Sequence, residues 1–106
     1  MKGPKGDRGD GTGALFDGFN HGDLYIVSNN YTTSGNERII CSAPLTVFMN
    51  PQPFNDETVF IKRMNGEVTI DGNGHDIDDD TTAIMTVEYT TLRLTYAGEL
   101  QQWVIT

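Results

Sequence analysis

The chain has 106 residues, with 15 acidic and 7 basic side chains, a formal net charge of −8 at pH 7 and one cysteine. This length corresponds to one small domain with a short additional segment. So few basic residues cannot neutralise a nucleic-acid backbone, and no apolar run approaches the roughly 20 residues that span a bilayer, so neither nucleic acid nor a membrane is a predicted partner. Cys41 has no second cysteine to pair with, and its neighbours Ile39 and Ile40 predict a buried thiol.

Glycine occupies every third position at the start of the chain, at Gly3, Gly6 and Gly9. A collagen triple helix requires this period, because only glycine fits at the axis where three chains meet. Cations and anions flank the glycines in Lys5-Gly6-Asp7 and Arg8-Gly9-Asp10, where staggered chains can form exposed ion pairs. Since the period ends after Gly9, a flexible Gly-rich linker is the alternative. The pattern predicts a collagen-like or extended segment over residues 1–13, and with it a homotrimer.

Charge is distributed unevenly between this segment and the rest of the chain. The first thirteen residues contain three of the seven cations and two of the fifteen anions, which leaves four cations and thirteen anions in residues 14–106. That second part is the predicted globular domain, and it begins with a short apolar patch. We expect the patch and the basic side chains before it to contact the trimer axis or a larger assembly. The predicted contact residues are Lys2, Lys5, Arg8, Leu15, Phe16 and Phe19.

Short stretches of β-branched and aromatic residues, separated by turn residues, make up the domain. The predicted strands are residues 24–27, 37–42, 45–49, 57–62, 68–70, 82–88, 90–96 and 102–105. The dipeptide Asn65-Gly66 is favoured in two-residue turns and predicts a hairpin between the fourth and fifth of these strands. Leu92, Leu94 and Tyr96 alternate with polar residues, and no stretch has a helical period. The sequence therefore predicts an all-β domain over residues 14–106, an antiparallel β-sandwich or a jelly roll.

Two aromatic residues differ in their predicted roles. Tyr31 lies in the polar stretch 28–36, which reads as a loop or an edge strand, and it is the candidate for an exposed ligand-binding aromatic. Trp103 is followed by Val104 and Ile105, and this apolar context favours a place in the core.

An acidic turn after residue 70 contains the side chains of a possible cation site. Asp71, Asn73 and His75 have the spacing of the first three ligands of a calcium-binding loop. However, Asp76 stands at the sixth position, where glycine is required, and Thr82 at the twelfth, where a bidentate glutamate belongs. The turn is therefore not an EF-hand, and a solvated acidic turn without a metal is the prediction. The weak candidates for a looser cation site are Asp71, Asp76, Asp78 and Asp80.

The sequence shows no catalytic constellation. His21 and His75 each lie among glycine and aspartate residues, without an accompanying serine, cysteine or lysine motif. Carboxylates are numerous, but no pattern selects the pair that glycoside hydrolysis needs. We therefore predict a protein that binds or builds, with no catalytic residue and no cofactor, and not an enzyme.

Three motifs follow one another between residues 68 and 105. Val68-Thr69-Ile70-Asp71-Gly72-Asn73-Gly74 is followed by Leu92-Arg93-Leu94-Thr95-Tyr96-Ala97-Gly98 and by Trp103-Val104-Ile105. This order resembles the terminal β domain of tailed-bacteriophage fibre and head-fibre proteins, where a Thr-Ile-x-Gly-x-Gly turn precedes a Leu-x-Tyr-x-Gly strand and a closing Trp strand. A collagen-like Gly-X-Y segment beside a small β domain is also similar to phage virion proteins. The very short Gly-X-Y run departs from that pattern.

The resemblance implies a homotrimer on the virion surface, made in the cytoplasm of a host bacterium. Because the chain enters the repeat almost at once, a small trimer that decorates or cements the capsid is expected rather than a tail fibre with a long docking part. Its implied partners are copies of itself and the lattice of the major capsid protein. The alternative is the receptor-binding tip of a tail fibre, in which Tyr31 stacks on host surface glycans. A collagen-like adhesion protein is disfavoured, because no apolar signal segment follows the basic N-terminal residues.

Overall fold

The computed structural model describes residues 22–106, which form ten β-strands and no helix. In chain order the strands are β1 (Asp23–Val27), β2 (Tyr31–Thr32), β3 (Glu37–Cys41), β4 (Leu45–Phe48), β5 (Thr58–Arg63), β6 (Val68–Asp71), β7 (Asp76–Ile77), β8 (Thr82–Met85), β9 (Thr91–Ala97) and β10 (Gln102–Ile105). The all-β class predicted from the sequence is confirmed. The described part of the chain contains no helix long and apolar enough to cross a bilayer. The predicted Gly-X-Y segment and its boundary with the domain lie outside the described residues.

The strands form two sheets. The larger sheet has six strands in the order β1-β3-β5-β9-β10-β7, and the smaller has four in the order β2-β4-β6-β8. From β1 to β8 each strand lies in the opposite sheet from the strand before it, so the chain crosses between the sheets after every strand. Each coil of this winding adds one strand to each sheet, as in a short solenoid. The β9–β10 hairpin then occupies the larger sheet between β5 and β7.

Strand directions differ from the antiparallel arrangement that the sequence predicts. Parallel pairs join β1 to β3, β3 to β5, β2 to β4, β4 to β6 and β7 to β10. Antiparallel pairs join β5 to β9, β9 to β10 and β6 to β8. Two packed sheets are compatible with a β-sandwich, but the antiparallel and jelly-roll predictions are wrong. The physical reason is the winding from β1 to β6: a chain that keeps circling in one sense returns to each sheet in the same direction.

One apolar layer fills the space between the sheets. Alternate residues of β3, β5 and β9 enter it from the larger sheet, and alternate residues of β4 and β6 enter it from the smaller one. Trp103 is fully buried, as predicted, and its ring meets that of Tyr96 edge to face, with centroids 5.4 Å apart. The buried layer consists of Ile39, Cys41, Leu45, Val47, Met49, Val59, Ile61, Val68, Ile70, Ile77, Met85, Leu94, Tyr96 and Trp103.

The hairpin predicted at Asn65-Gly66 is wrong. The strands on either side of it, β5 and β6, belong to different sheets, so this turn carries the chain across the core. It lies against the turn of the preceding coil, where Leu45 N–H donates to the Glu67 carbonyl oxygen at 3.3 Å. Gly66 has a φ of +82°, and a Cβ atom there would overlap the ring of Pro44. The Asn-Gly pair supplies the positive φ that a crossing turn needs as much as a hairpin does.

Replacement of Gly66 by alanine should lower the free energy of unfolding by about 1–3 kcal/mol, because alanine is strained at this positive φ. Its Cβ atom would also collide with the Pro44 ring. Urea unfolding followed by the fluorescence of Trp103 measures the change. Gly35→Ala is the matched control, since a Cβ atom at Gly35 has no neighbour within 4 Å. Equal unfolding midpoints for the two variants would show that the stacked turns are not tightly packed.

Candidate functional site

The outer surface of the larger sheet near its β1 edge is both apolar and basic. We define the basic face by seven residues: Leu24, Ile26, Arg38, Ile40, Phe60, Lys62 and Arg93. The strand registers place Leu24, Arg38, Phe60 and Arg93 in one row, and Ile26, Ile40 and Lys62 in the next. Adjacent strands are about 4.8 Å apart, so the side chains of each row are neighbours. Leu24 and Ile26, on the edge strand, are 49% and 70% exposed.

The basic face carries three of the four cations of residues 22–106. Arg38 Nε donates to the Gly22 carbonyl oxygen at 3.3 Å, and Arg93 Nε donates to Thr106 Oγ1 at 2.9 Å. The fourth cation, Arg63, points inward and is only 8% exposed. A shallow groove of about 220 Å³ crosses the face. On an otherwise acidic domain, this combination of apolar and cationic side chains is typical of an interaction surface.

The acidic turn lies at the opposite edge of the same sheet. β7 is that edge, and the turn Asp76–Asp80 has four carboxylates in five residues. Asp78 and Asp79 both have positive φ angles, 48° and 71°. Asp78 Oδ1 accepts a hydrogen bond from Ile105 N–H at 3.1 Å, and Asp79 Oδ1 accepts one from Gln102 Nε2 at 3.0 Å. These bonds hold the turn against β10.

The four weak metal candidates do not form a common site. Asp71 lies in β6, outside the acidic turn, and its Oδ1 accepts a hydrogen bond from Asn73 N–H at 2.7 Å. The other three candidates lie in the acidic turn, where Asp78 Oδ1 is bonded to Ile105 N–H of β10. The ring of His75 packs edge-on against Tyr96, with centroids 5.2 Å apart. Residues 22–106 contain no group of three or more His, Cys, Asp or Glu side chains placed to hold a metal ion.

Tyr31 is not the exposed aromatic residue that the sequence predicts. It lies half-buried in β2 and packs against the core. Its hydroxyl donates to Glu37 Oε1 at 3.2 Å, and Ser34 Oγ donates to Glu37 Oε2 at 2.9 Å. Burial, followed by the negative charge of Glu37, raises the pKa of Tyr31 to about 12. Its role in ligand binding stays a prediction, but the hydroxyl already has a partner within the chain.

The exposed aromatic side chains of the described residues include Tyr25, Phe54 and Tyr89. Tyr25 is 38% exposed on β1 and stacks obliquely on Tyr31, with ring centroids 5.8 Å apart. The charge of Asp23 is the main cause that raises the pKa of Tyr25, whose hydroxyl donates to Asp23 Oδ2 at 3.4 Å. Phe54 and Tyr89 are more exposed and lie in loops.

Cys41 has the buried environment that the sequence predicts. Its side chain is fully enclosed in the core, and burial raises the pKa of the thiol to about 11. A thiol of this kind behaves as a small apolar residue, because little of it ionises near neutral pH.

The sequence gives little indication of the basic face. Arg38, Lys62 and Arg93 are far apart in the chain, and only the register of β3, β5 and β9 brings them together. The available signal was the uninterrupted apolar run Leu24-Tyr25-Ile26-Val27, which gives a strand apolar side chains on both of its sides. The predicted trimer or capsid contacts Lys2, Lys5, Arg8, Leu15, Phe16 and Phe19 lie outside the described residues. Comparisons of the chain with protein-family models and with curated proteins find no match.

Replacement of Tyr31 by phenylalanine should reduce the loss of stability at high pH. The pKa of Tyr31 in the folded chain is about 12 against an ordinary value of 10.0. The protonated hydroxyl therefore contributes stability that is complete below about pH 10 and is lost as the pH rises through about 12. Phenylalanine does not ionise, so the melting temperature of the variant should fall less steeply across this window.

The control for this measurement is Tyr89→Phe, because Tyr89 is 63% exposed. At pH 7, by contrast, Tyr31→Phe should cost about 0.5–1.5 kcal/mol, the net value of one hydrogen bond. The same alkaline decline in Tyr31→Phe and in the parent chain would mean that Tyr31 is neither buried nor close to Glu37 in solution.

Proposed function

We propose that this protein is a structural protein of a tailed-bacteriophage virion, a homotrimer that decorates the capsid surface. The observation that carries the proposal is the exposed apolar edge of the larger sheet, in a chain that begins with glycine at Gly3, Gly6 and Gly9. Among the strands of residues 22–106, β1 is one edge of the larger sheet, and it exposes Leu24 and Ile26. Native proteins cover or charge such edges, because an open apolar edge pairs with other chains. Further copies of the chain would supply the cover.

The proposed trimer would act on the capsid by mass action. A protein that binds the assembled lattice, but not its separated subunits, stabilises the assembled state. Three copies joined by one stem would bind three lattice sites together, so weak contacts in each copy give firm attachment through effective concentration. The high negative charge of the domain supports an outward orientation, since it keeps particles from associating.

The receptor-binding tip of a tail fibre is the second candidate function. Tyr31 is half-buried, but Tyr25, Phe54 and Tyr89 expose 38%, 53% and 63% of their surface. Exposed aromatic rings provide flat apolar surfaces on which a sugar can stack. This observation keeps glycan binding as the alternative.

The full chain should sediment at micromolar concentration with three times the mass of the 11.7 kDa monomer. Deletion of residues 2–13 should shift the equilibrium toward monomer, because the triplets that require three chains are removed. Circular dichroism is the control that the shortened chain keeps its β structure. A monomeric full chain would refute the trimer, and an unchanged trimer after deletion would show that the segment does not assemble it.

Capsid binding separates the two candidate functions. Purified protein should co-sediment with assembled capsids of the phage that encodes it, and it should not bind the dissociated capsid subunit. It should also raise the temperature at which the capsid opens, because it binds only the closed lattice. A glycan array is the matched experiment for the alternative. Saturable binding to a sugar, without capsid binding, would replace decoration by receptor recognition.

A further inference from the structure

We propose that copies of this chain contact each other through the two opposite edges of the larger sheet, with the acidic turn of one copy on the basic face of the next. This inference depends on the trimer proposed above and adds the place where its subunits meet. The occupant of the basic face is thus a second copy of the same chain.

The two surfaces have complementary charge. The basic face holds Arg38, Lys62 and Arg93, whereas the acidic turn holds four carboxylates within Asp76–Asp80. A chain with a net charge of −8 repels its own copies, so contact is favourable only where the local charges are opposite. No stretch of five residues in 22–106 that lies outside this turn has more than two carboxylates. The acidic turn is therefore the best-matched part of a second copy.

Sheet topology makes this contact head to tail. The basic face lies at the β1 edge and the acidic turn at the β7 edge, and these are the two ends of the strand order β1-β3-β5-β9-β10-β7. When two chains meet in this way, one basic face and one acidic turn remain uncovered. A closed ring of chains covers every basic face and every acidic turn. Three is the number of chains that the Gly-X-Y period requires. A threefold ring therefore satisfies both constraints.

Hydrogen bonding within the turn leaves part of it available. Asp78 and Asp79 bond to β10 and fix the conformation of the turn. Asp76 and Asp80 are exposed, and their carboxylates accept no hydrogen bond from the described residues. The turn thus presents two carboxylates on a rigid support. Charged groups held in this way lose little conformational entropy when they bind.

Contact area explains why the stem is needed. Four strands of five residues, about 4.8 Å apart with a rise of about 3.3 Å per residue, cover only about 320 Å². Stable interfaces bury roughly 800 Å² on each partner, so the basic face alone gives weak association. A stem that joins the chains raises their effective concentration to about the millimolar range for a short linker. Since few contacts share the binding energy, reversal of two charges should have a visible effect.

Charge reversal in the full chain tests the inference. The face variant is Arg38→Glu with Lys62→Glu, and the turn variant is Asp76→Lys with Asp80→Lys. Each should weaken the trimer in sedimentation equilibrium by about tenfold or more, because like charges then face each other. The combination of all four substitutions should restore association to within about threefold of the parent, since the charges are again complementary. High salt should weaken the parent trimer as well.

The control is Glu67→Lys with Glu88→Lys, which changes net charge as much as the turn variant at two exposed positions outside both surfaces. Circular dichroism shows whether each variant is folded. A second measurement needs no variant: Lys62 is the one lysine of residues 22–106, and a carbodiimide joins an amine to a carboxylate in direct contact. A mixture of isotope-labelled and unlabelled chains should yield an intermolecular cross-link from Lys62 to the acidic turn.

The outcomes separate this inference from the proposed function. A monomeric parent chain overturns both. A trimer that is unaffected by either double variant, or that the fourfold variant fails to restore, overturns the contact and leaves the trimer standing. A cross-link within one chain, from Lys62 to Asp17, would mean that residues before Gly22 cover the basic face. That result would also overturn the contact.

Discussion

The crossing of the chain between two sheets after each strand is the constraint on which the rest of the structure depends. From β1 to β6 it makes neighbouring strands of each sheet parallel, and the register then stacks residues from successive coils in rows. Ile39 beside Ile61 belongs to an inner row and builds the core. Arg38 beside Phe60 belongs to an outer row and builds the basic face. Because side chains alternate along a strand, a shift of one residue would exchange the two rows. The residues that enter the core therefore determine which residues of β3 and β5 face outward.

Crossing turns expose backbone and side-chain polar groups at the ends of the core, and buried polar residues satisfy them. The first coil, from Asp23 to its register partner Glu37, has 14 residues, and the second, from Glu37 to Val59, has 22. The longer coil contains the loop after β4. Glu57, fully buried, holds that loop by accepting hydrogen bonds from Asn50 Nδ2 at 3.2 Å and 3.3 Å and from Phe54 N–H at 3.1 Å. These bonds give both oxygens of the buried carboxyl group partners, and they connect the loop to the end of the core.

Sequence reasoning identified most strands and the core side of β9, since alternation reports directly on which residues face inward. It placed Trp103 and Cys41 correctly in the core from the apolar residues beside them in the chain. It failed at Asn65-Gly66, because a positive φ specifies a local bend and not the strand that follows it in space. Parallel pairing could not be read from neighbouring residues either, because two paired parallel strands are a whole coil apart in the chain. Tyr31 was misjudged because its partner Glu37 becomes a neighbour only when the sheets pack.

The basic face could not be predicted for a related reason, as its cations come from three strands, and its interpretation depends on what the rest of the surface does. An apolar edge on a neutral protein would pair with many partners and extend without limit. On this acidic domain, like charges repel one another except where cations collect, so in the proposed trimer the charge would favour one geometry of association. A head-to-tail contact can still grow into a filament unless its rotation closes. In the proposed trimer the stem fixes the number of chains, and closure of the ring removes the free surfaces from which growth would continue.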